Sequence, residues 1–437
     1  MNKRTIIASA SAPGRGGVSV VRMSGEKSKN IAERMCGELS EPWKFKKCSI
    51  MSSGNEVIDS GMVVFFQSPH SYTGEDVVEF HCHGNPMIVS LIVDEAVSLG
   101  AVVADPGEFT KTAFLNDKID LAQAESVADL INAQSKSAVL AANSSLSGEF
   151  SNKINTLVDE VVRGRVVIEA NIDFPEEDIE SDLLNTIKKD LEICLEEVSK
   201  LLMGVREGVR LREGYSVAIV GAPNAGKSTL LNVLARDDVA ITSNVPGTTR
   251  DLVKTVVNIA GVTIEFIDTA GVRSNPDSDI EKEGINRSLN VVQKSNFTLL
   301  VKDISDVKDF DIDLGDYITV MNKSDLIDSV PKNEKDMFYL SCATGEGVED
   351  LLRALLARLG VDEGAETAFL SRKRHEVSLE KAKELLKESV VSLVEGQALE
   401  LVAENLRSAH HHLGDILRPM SSDDLLGEIF SEFCIGK

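Results

Sequence analysis

Eight residues, Gly221-Ala222-Pro223-Asn224-Ala225-Gly226-Lys227-Ser228, restrict what this chain can fold into more than any other stretch. They match G-x-x-x-x-G-K-[ST], a loop that works only between a strand and the first turn of a helix, because its backbone N–H groups must converge on a polyanion. The flanks supply both: residues 216–220 are strand-like, and residues 229–234, starting at Thr229, are helix-like. In that setting Lys227 reaches β- and γ-phosphate oxygens and the Ser228 hydroxyl ligates Mg²⁺. A plain glycine-rich turn is the alternative, and the loop alone does not decide.

Order decides. After the loop come Thr248-Thr249, then Asp268-Thr269-Ala270-Gly271 behind the apolar run 262–267. Asn322-Lys323-Ser324-Asp325 follows the run 318–321, and Ser341-Cys342-Ala343 closes the series. A buried strand of this kind delivers Asp268 to the Mg²⁺ water shell, Gly271 offers its N–H to a γ-phosphate, and Thr249 closes over the metal. The Asp325 carboxylate can accept hydrogen bonds from guanine N1–H and its 2-amino group, a pair that adenine lacks. Backbone N–H groups of the 341–343 turn can support guanine O6. The expected chemistry is hydrolysis of GTP by a switch domain.

One piece is missing. Ras-like switches place a glutamine after D-x-x-G to orient the attacking water, whereas here the next residue is Val272. Another group must take that task. Asn224 in the loop reads by itself as an ordinary turn residue, since Asn is common in turns.

Around this core the pattern changes twice. From Thr5 to about Asn116, β-rich runs (18–21, 62–66, 77–80) alternate with Gly/Pro turns and one helical stretch, 87–99. From Asp120 to about Arg212 only helical spacing remains, as in Phe150, Ile154, Leu157, Val158, Val161 and Val162. Strands and helices then alternate from Gly214 to Ser371, and pure helix resumes with Leu379, Ala382, Leu385 and Leu386. The expected fold is multidomain α/β plus all-α: an N-terminal α+β domain (1–117), a helical domain in two parts (118–213 and 372–437), and a Ras-like P-loop domain (214–371) inserted into it.

Composition narrows the partners. No apolar run is long enough to span a membrane, and the opening residues read as a first strand rather than a signal peptide. Six scattered cysteines without a C-x-x-C pair suit a reducing cytosol. His81-Cys82-His83 invites a zinc reading, but on a strand Cys82 would face away from both histidines. The formal charge of −24 is the wrong sign for nonspecific nucleic-acid coating, so RNA contact requires local basic patches or a partner. One such patch is expected where the inserted domain begins and ends: Arg206, Arg210 and Arg212 enter it, and Arg372, Lys373, Arg374 and His375 leave it.

The flanks carry a resemblance. Pro13-Gly14-Arg15-Gly16-Gly17, Tyr72-Thr73-Gly74-Glu75-Asp76, Pro106-Gly107-Glu108-Phe109-Thr110, the stretch from Ala113 to Glu125, and the closing Phe433-Cys434-Ile435-Gly436-Lys437 resemble the tRNA-modifying MnmE (TrmE) family. The resemblance runs over nearly the whole chain. It implies a cytoplasmic homodimer that acts with the flavoprotein MnmG, which carries the FAD, as a heterotetramer. That complex adds an aminomethyl-type group at C5 of the tRNA wobble uridine, using a one-carbon tetrahydrofolate derivative. It maps folate binding onto Arg22, Glu79, Lys118 and Lys437.

The loop Ser243-Asn244-Val245-Pro246-Gly247-Thr248-Thr249 likewise resembles the K⁺-dependent members of this class. That resemblance implies K⁺ held by Asn224, Ser243, Val245 and Thr248, and G domains that meet on GTP binding. Glu281 lines up with the family's water-positioning glutamate, with Glu283 as the alternative because one extra residue precedes them. Cys434 reads as a structural thiol, since only Lys437 lies near it in sequence to lower its pKa. A ribosome-assembly or RNA-remodelling GTPase would share every nucleotide motif, and only the flanks argue against it.

Overall fold

The computed structural model describes residues 4–174, 181–234, 253–259, 261–268, 291–306, 314–359, 369–395, 398–418, 423–431, 433 and 436. These fall into two compact units, one comprising residues 1–131, 145–199 and 377–437, the other 132–144 and 200–376.

The first unit opens with a six-stranded sheet. Its strands are β1 (Ile6–Ser9), β2 (Gly16–Ser24), β3 (Lys46–Met51), β4 (Val57–Phe66), β5 (Val77–Gly84) and β6 (Val102–Val103), in the order β3-β4-β5-β2-β1-β6. Alternation along them puts Val21, Met23, Val63, Phe65, Val78 and Phe80 on one face. That face packs against α1 (Ser28–Cys36) and α2 (Pro86–Ser98), and α3 (Glu108–Leu115) follows. Sequence patterning suggested one helix here, and the structure has three. The two missed helices span nine and eight residues, little more than two turns each, too short for their stripes to stand out in a scanning window. Two interior strands also outrun their signals: β4 and β5 extend beyond the apolar cores 62–66 and 77–80 that announced them.

Helices then take over: α4 (Leu121–Asn132), α5 (Lys136–Leu146), α6 (Glu149–Asp173) and α7 (Ser181–Glu213). The stripe read from sequence is the buried face of α6, with Phe150, Ile154, Leu157 and Val161 all in the core. That face meets α11 (Leu399–Leu417), while α12 (Asp423–Ser431) packs its Leu426, Ile429 and Phe430 against Leu121, Ala124 and Ala128 of α4.

In the second unit, α7 leads directly into β7 (Tyr215–Gly221), followed by α8 (Lys227–Leu234), β8 (Val253–Ile259), β9 (Val262–Asp268), β10 (Phe297–Asp303), β11 (Tyr317–Asn322), β12 (Met337–Tyr339) and α9 (Val348–Leu359). The sheet order is β12-β11-β10-β7-β9-β8, and every pairing is parallel except the β8–β9 hairpin. Parallel strands need both faces covered. Accordingly Val217, Ile219, Phe266, Leu299, Val301, Ile318 and Val320 pack with α8 and α9, and Ala218, Val220, Ile267 and Leu300 form a second cluster. The chain returns through Phe369 and Leu370, which are buried, into α10 (Lys373–Glu395). The Leu370 N–H donates to the carbonyl of Ala141 on α5.

At this return the basic residues expected to gather are joined by an acidic one, and Arg206, Arg210 and Lys373 remain exposed. Glu376 accepts from Arg206 Nε at 3.0 Å and from Lys373 Nζ at 2.5 Å, Arg372 is buried, and the Arg372 N–H donates to His375 Nδ1 at 3.2 Å. Proximity of the two ends was read correctly, but it brought an acidic partner with it.

Candidate functional site

Parallel strands β7, β10 and β11 end side by side, and the segments that follow β7, β11 and β12 form the walls of a cavity of about 530 Å³. This follows a general rule: in open α/β sheets, ligands bind beyond the carboxyl ends of the strands. The loop after β7 bends through Asn224, whose φ of 65° is left-handed, and enters α8 at Lys227. Asn224, Gly226, Lys227, Ser228 and Thr229 line this side of the cavity.

Lys227 is 7% exposed, and its amine donates to the carbonyls of Gly221 and Ala222, each at 3.0 Å. Burial lowers its pKa, with the Asp268 carboxylate opposing. The Ser228 hydroxyl donates to Asp268 Oδ2 at 3.3 Å. Asp268 is pushed up by burial against the pull of Lys227 and Ser228, and its Oδ1 is buried without a hydrogen-bond partner among the described residues. A buried carboxylate oxygen beside a serine hydroxyl fits a hydrated divalent cation.

The opposite wall is built around Asn322. Its Nδ2 donates to the Ala225 carbonyl at 2.9 Å, and its Oδ1 accepts the Cys342 N–H at 3.1 Å. One side chain therefore ties its own loop to two others, 97 and 20 residues away in sequence. Lys323 adopts a left-handed φ of 67° and its amine meets Asp303 Oδ2 at 2.5 Å. Asp325 Oδ1 accepts from the Ser341 hydroxyl. Cys342 and Ala343 complete the wall, and the Cys342 thiol is pushed up to about 11 by burial and by Asp325.

In the N-terminal sheet, Arg22 and Glu79 lie directly opposite across β2–β5, and Arg22 Nε donates to Glu79 Oε1 at 2.8 Å. The Arg22 guanidinium lies over the rings of Tyr72 and Phe109, 5.3 and 5.8 Å from their centroids. Tyr72 also shares a 2.8 Å hydrogen bond with the Thr110 hydroxyl. The Lys118 amine donates to the Pro69 carbonyl at 3.1 Å, in the loop that carries Tyr72. Cys82 is buried in the sheet core and His81 meets Phe45 edge-on.

Ser243, Asn244, Val245, Pro246, Gly247, Thr248, Thr249, Thr269, Ala270, Gly271, Glu281, Glu283, Cys434 and Lys437 lie outside the described residues. Sequence reading missed Asp303 altogether. It singled out no individual role for Tyr72, Phe109 or Thr110, although each sits in a flank motif that it quoted.

Fold and cavity together define a GTP hydrolase of the P-loop class. Residues 5–118 match the family model described as GTP-binding protein TrmE N-terminus, and residues 121–434 match the MnmE helical domain. The tRNA modification GTPase MnmE of Legionella pneumophila (strain Paris) is 43% identical over the full length of both chains. That of Francisella tularensis subsp. holarctica (strain OSU18) is 42% identical over 100% of this chain and 99% of its own. Among solved structures, Aquifex aeolicus Era bound to GDP and AlF₄⁻ is 26% identical, covers 39% of this chain and 67% of its own, and has a TM-score of 0.28. The chain belongs to the MnmE (TrmE) family of tRNA modification GTPases.

Proposed function

We propose that this GTPase acts with the flavoprotein MnmG, as a heterotetramer built on a homodimer, to add a (carboxymethyl)aminomethyl group at C5 of the tRNA wobble uridine in the cytoplasm. The observation that carries the nucleotide half is the cavity in which Lys227, Ser228, Asp268, Asn322 and Asp325 converge from three strand ends. Within it Ser228, with Thr249 from the neighbouring loop, would hold Mg²⁺, and the Asp268 carboxylate would order its water shell. Asp325 reads N1–H and the 2-amino group of guanine. The Cys342 N–H is taken by Asn322 and the Thr344 N–H by Ser341, so the O6 contact falls to the Ala343 N–H.

Because Val272 replaces the water-orienting glutamine, Glu281 is assigned to position the attacking water. K⁺ held by Asn224 and the carbonyls of Ser243, Val245 and Thr248 would supply positive charge between the β- and γ-phosphates. G-domain association across the dimer accompanies the GTP state and couples hydrolysis to the rest of the molecule.

In the N-terminal domain, the Arg22–Glu79 pair beside Tyr72, with Lys118 and Lys437, is assigned to a one-carbon tetrahydrofolate. Glu79 offers acceptor oxygens for pterin N–H groups, and an aromatic ring already lies against the Arg22 cation. When bound, the folate supplies the one-carbon unit. The domains are assigned as 1–117, 118–213 with 372–437, and 214–371.

Mass spectrometry of tRNA nucleosides from cells lacking this protein tests the assignment. Loss of the C5 substituent on wobble uridines is the expected result. An unchanged nucleoside profile overturns it.

A further inference from the structure

Asp303 has no place in any of the nucleotide motifs, yet its carboxylate holds the amine of Lys323, a cavity-wall residue whose backbone is left-handed. Asp303 ends β10 directly opposite Asn322 on β11. Its Oδ1 accepts from the Ser305 N–H at 2.9 Å and the Ser305 hydroxyl at 2.6 Å, leaving Oδ2 for the Lys323 amine at 2.5 Å. Burial alone would raise this carboxyl, but Lys323 and Ser305 outweigh it and hold it at about 2. The Asp303 carboxyl is therefore ionised at any working pH.

Lys323 needs such an anchor. Its backbone is left-handed, an uncommon state for a residue with a long side chain, and persists only where the surroundings fix it. It also sits two residues before Asp325 in the same tight turn, Ser324–Leu326, and lines the same cavity. A lysine amine on a flexible four-carbon stem will seek the nearest carboxylate. Asp325 is the carboxylate that must stay available for the base edge.

We propose that Asp303 is a positioning residue for guanine recognition: it takes up the charge of Lys323, so that Lys323 presents its aliphatic stem to the cavity and the Asp325 carboxylate, which also accepts from the Ser341 hydroxyl, meets the purine with no cation competing for it. The inference rests on the reading of Asp325 given above. Asp303 does not itself line the cavity and acts only through Lys323.

Inosine triphosphate, which lacks the 2-amino group, supplies the test, because only a carboxylate free to make both base contacts discriminates against it. In the full-length protein, Asp303→Asn should raise KM for GTP by about tenfold, the usual scale for one lost charge-assisted contact. The effect on kcat should be much smaller, and the preference for GTP over ITP should shrink. Adding Lys323→Met should restore the preference, because no cation then competes for Asp325. Asp303→Glu should keep most of it. An unchanged GTP/ITP ratio in Asp303→Asn, or no recovery in the double variant, overturns the proposal. Asp325→Asn run alongside separates the two ideas: if it leaves the ratio unchanged, the guanine reading fails, and if it collapses the ratio while Asp303→Asn does not, only the role of Asp303 fails. Thermal unfolding of each variant distinguishes loss of recognition from loss of fold.

Discussion

Asn322 and Asn224 illustrate what a single residue can and cannot announce. Asn322 sits in a motif, so its place in the cavity was readable; that it ties the Ala225 carbonyl to the Cys342 N–H depends on strand ends meeting in space. Asp303 gave no signal, because its pairing with Lys323 comes from the β10–β11 register rather than from spacing along the chain. Asn224 also sits in a motif, and the structure holds it left-handed at the cavity wall. With Val272 unable to orient water, its side chain carries the cation prediction. Exchanging K⁺ for Na⁺ should slow turnover by about a hundredfold or more, the scale seen when one group that stabilises transition-state charge is lost, while GDP binding persists. Asn224→Ala measured in K⁺ should reproduce that slow rate. Equal turnover in both salts would falsify the cation mechanism.

At the level of elements, the β8–β9 hairpin is the most informative. Sequence patterning found β9 from its apolar run, but β8 went unread because Lys254-Thr255-Val256-Val257-Asn258 mixes polar and apolar residues as an edge strand does. Nor could patterning show that the hairpin tip rests on the start of α5. Asn258 Nδ2 donates to the Gln134 carbonyl at 2.7 Å, and its Oδ1 accepts from the Thr263 hydroxyl at 2.9 Å. Gly261, at φ 80°, lies so close to Ser137 that any Cβ would overlap its hydroxyl. Gly261→Ala should therefore destabilise the protein by roughly 1–3 kcal/mol, through left-handed strain and the clash together. Adding Ser137→Ala should recover the clash part alone. Thermal melts of the single and double variants check this, and an unshifted melting point in Gly261→Ala would show that the tip is not docked as described.

Across the whole molecule, the surplus of acid shapes even the places where basic residues gather. Arg206 and Lys373 converge on Glu376 while remaining exposed themselves. Burial would raise the Glu376 carboxyl, but Lys373 and Arg206 together pull it below its ordinary value. Its contribution to stability is therefore complete above the normal carboxylate range and is lost as pH falls through the depressed pKa. Because both cations are substantially exposed, the contribution is about 1 kcal/mol or less. Glu376→Gln should melt slightly below the parent at pH 7 and converge with it in strong acid; a gap that stays constant from neutral to acid pH would rule out the ion pairs as its source.

Domain order was legible because the periodicity of the chain changes at each transition, from two to 3.6 and back. What brought the ends of the second sheet together was not legible. Gly208 on α7 lies so close to Phe369 that an added Cβ would overlap its carbonyl oxygen. The outgoing and returning chain thus run side by side here, and joining residue 208 to residue 370 would require only a few residues of new chain. A segment with that geometry can be spliced in or out of a host sequence as a cassette, which is how a nucleotide-driven module can be acquired without redesigning the helices that receive it.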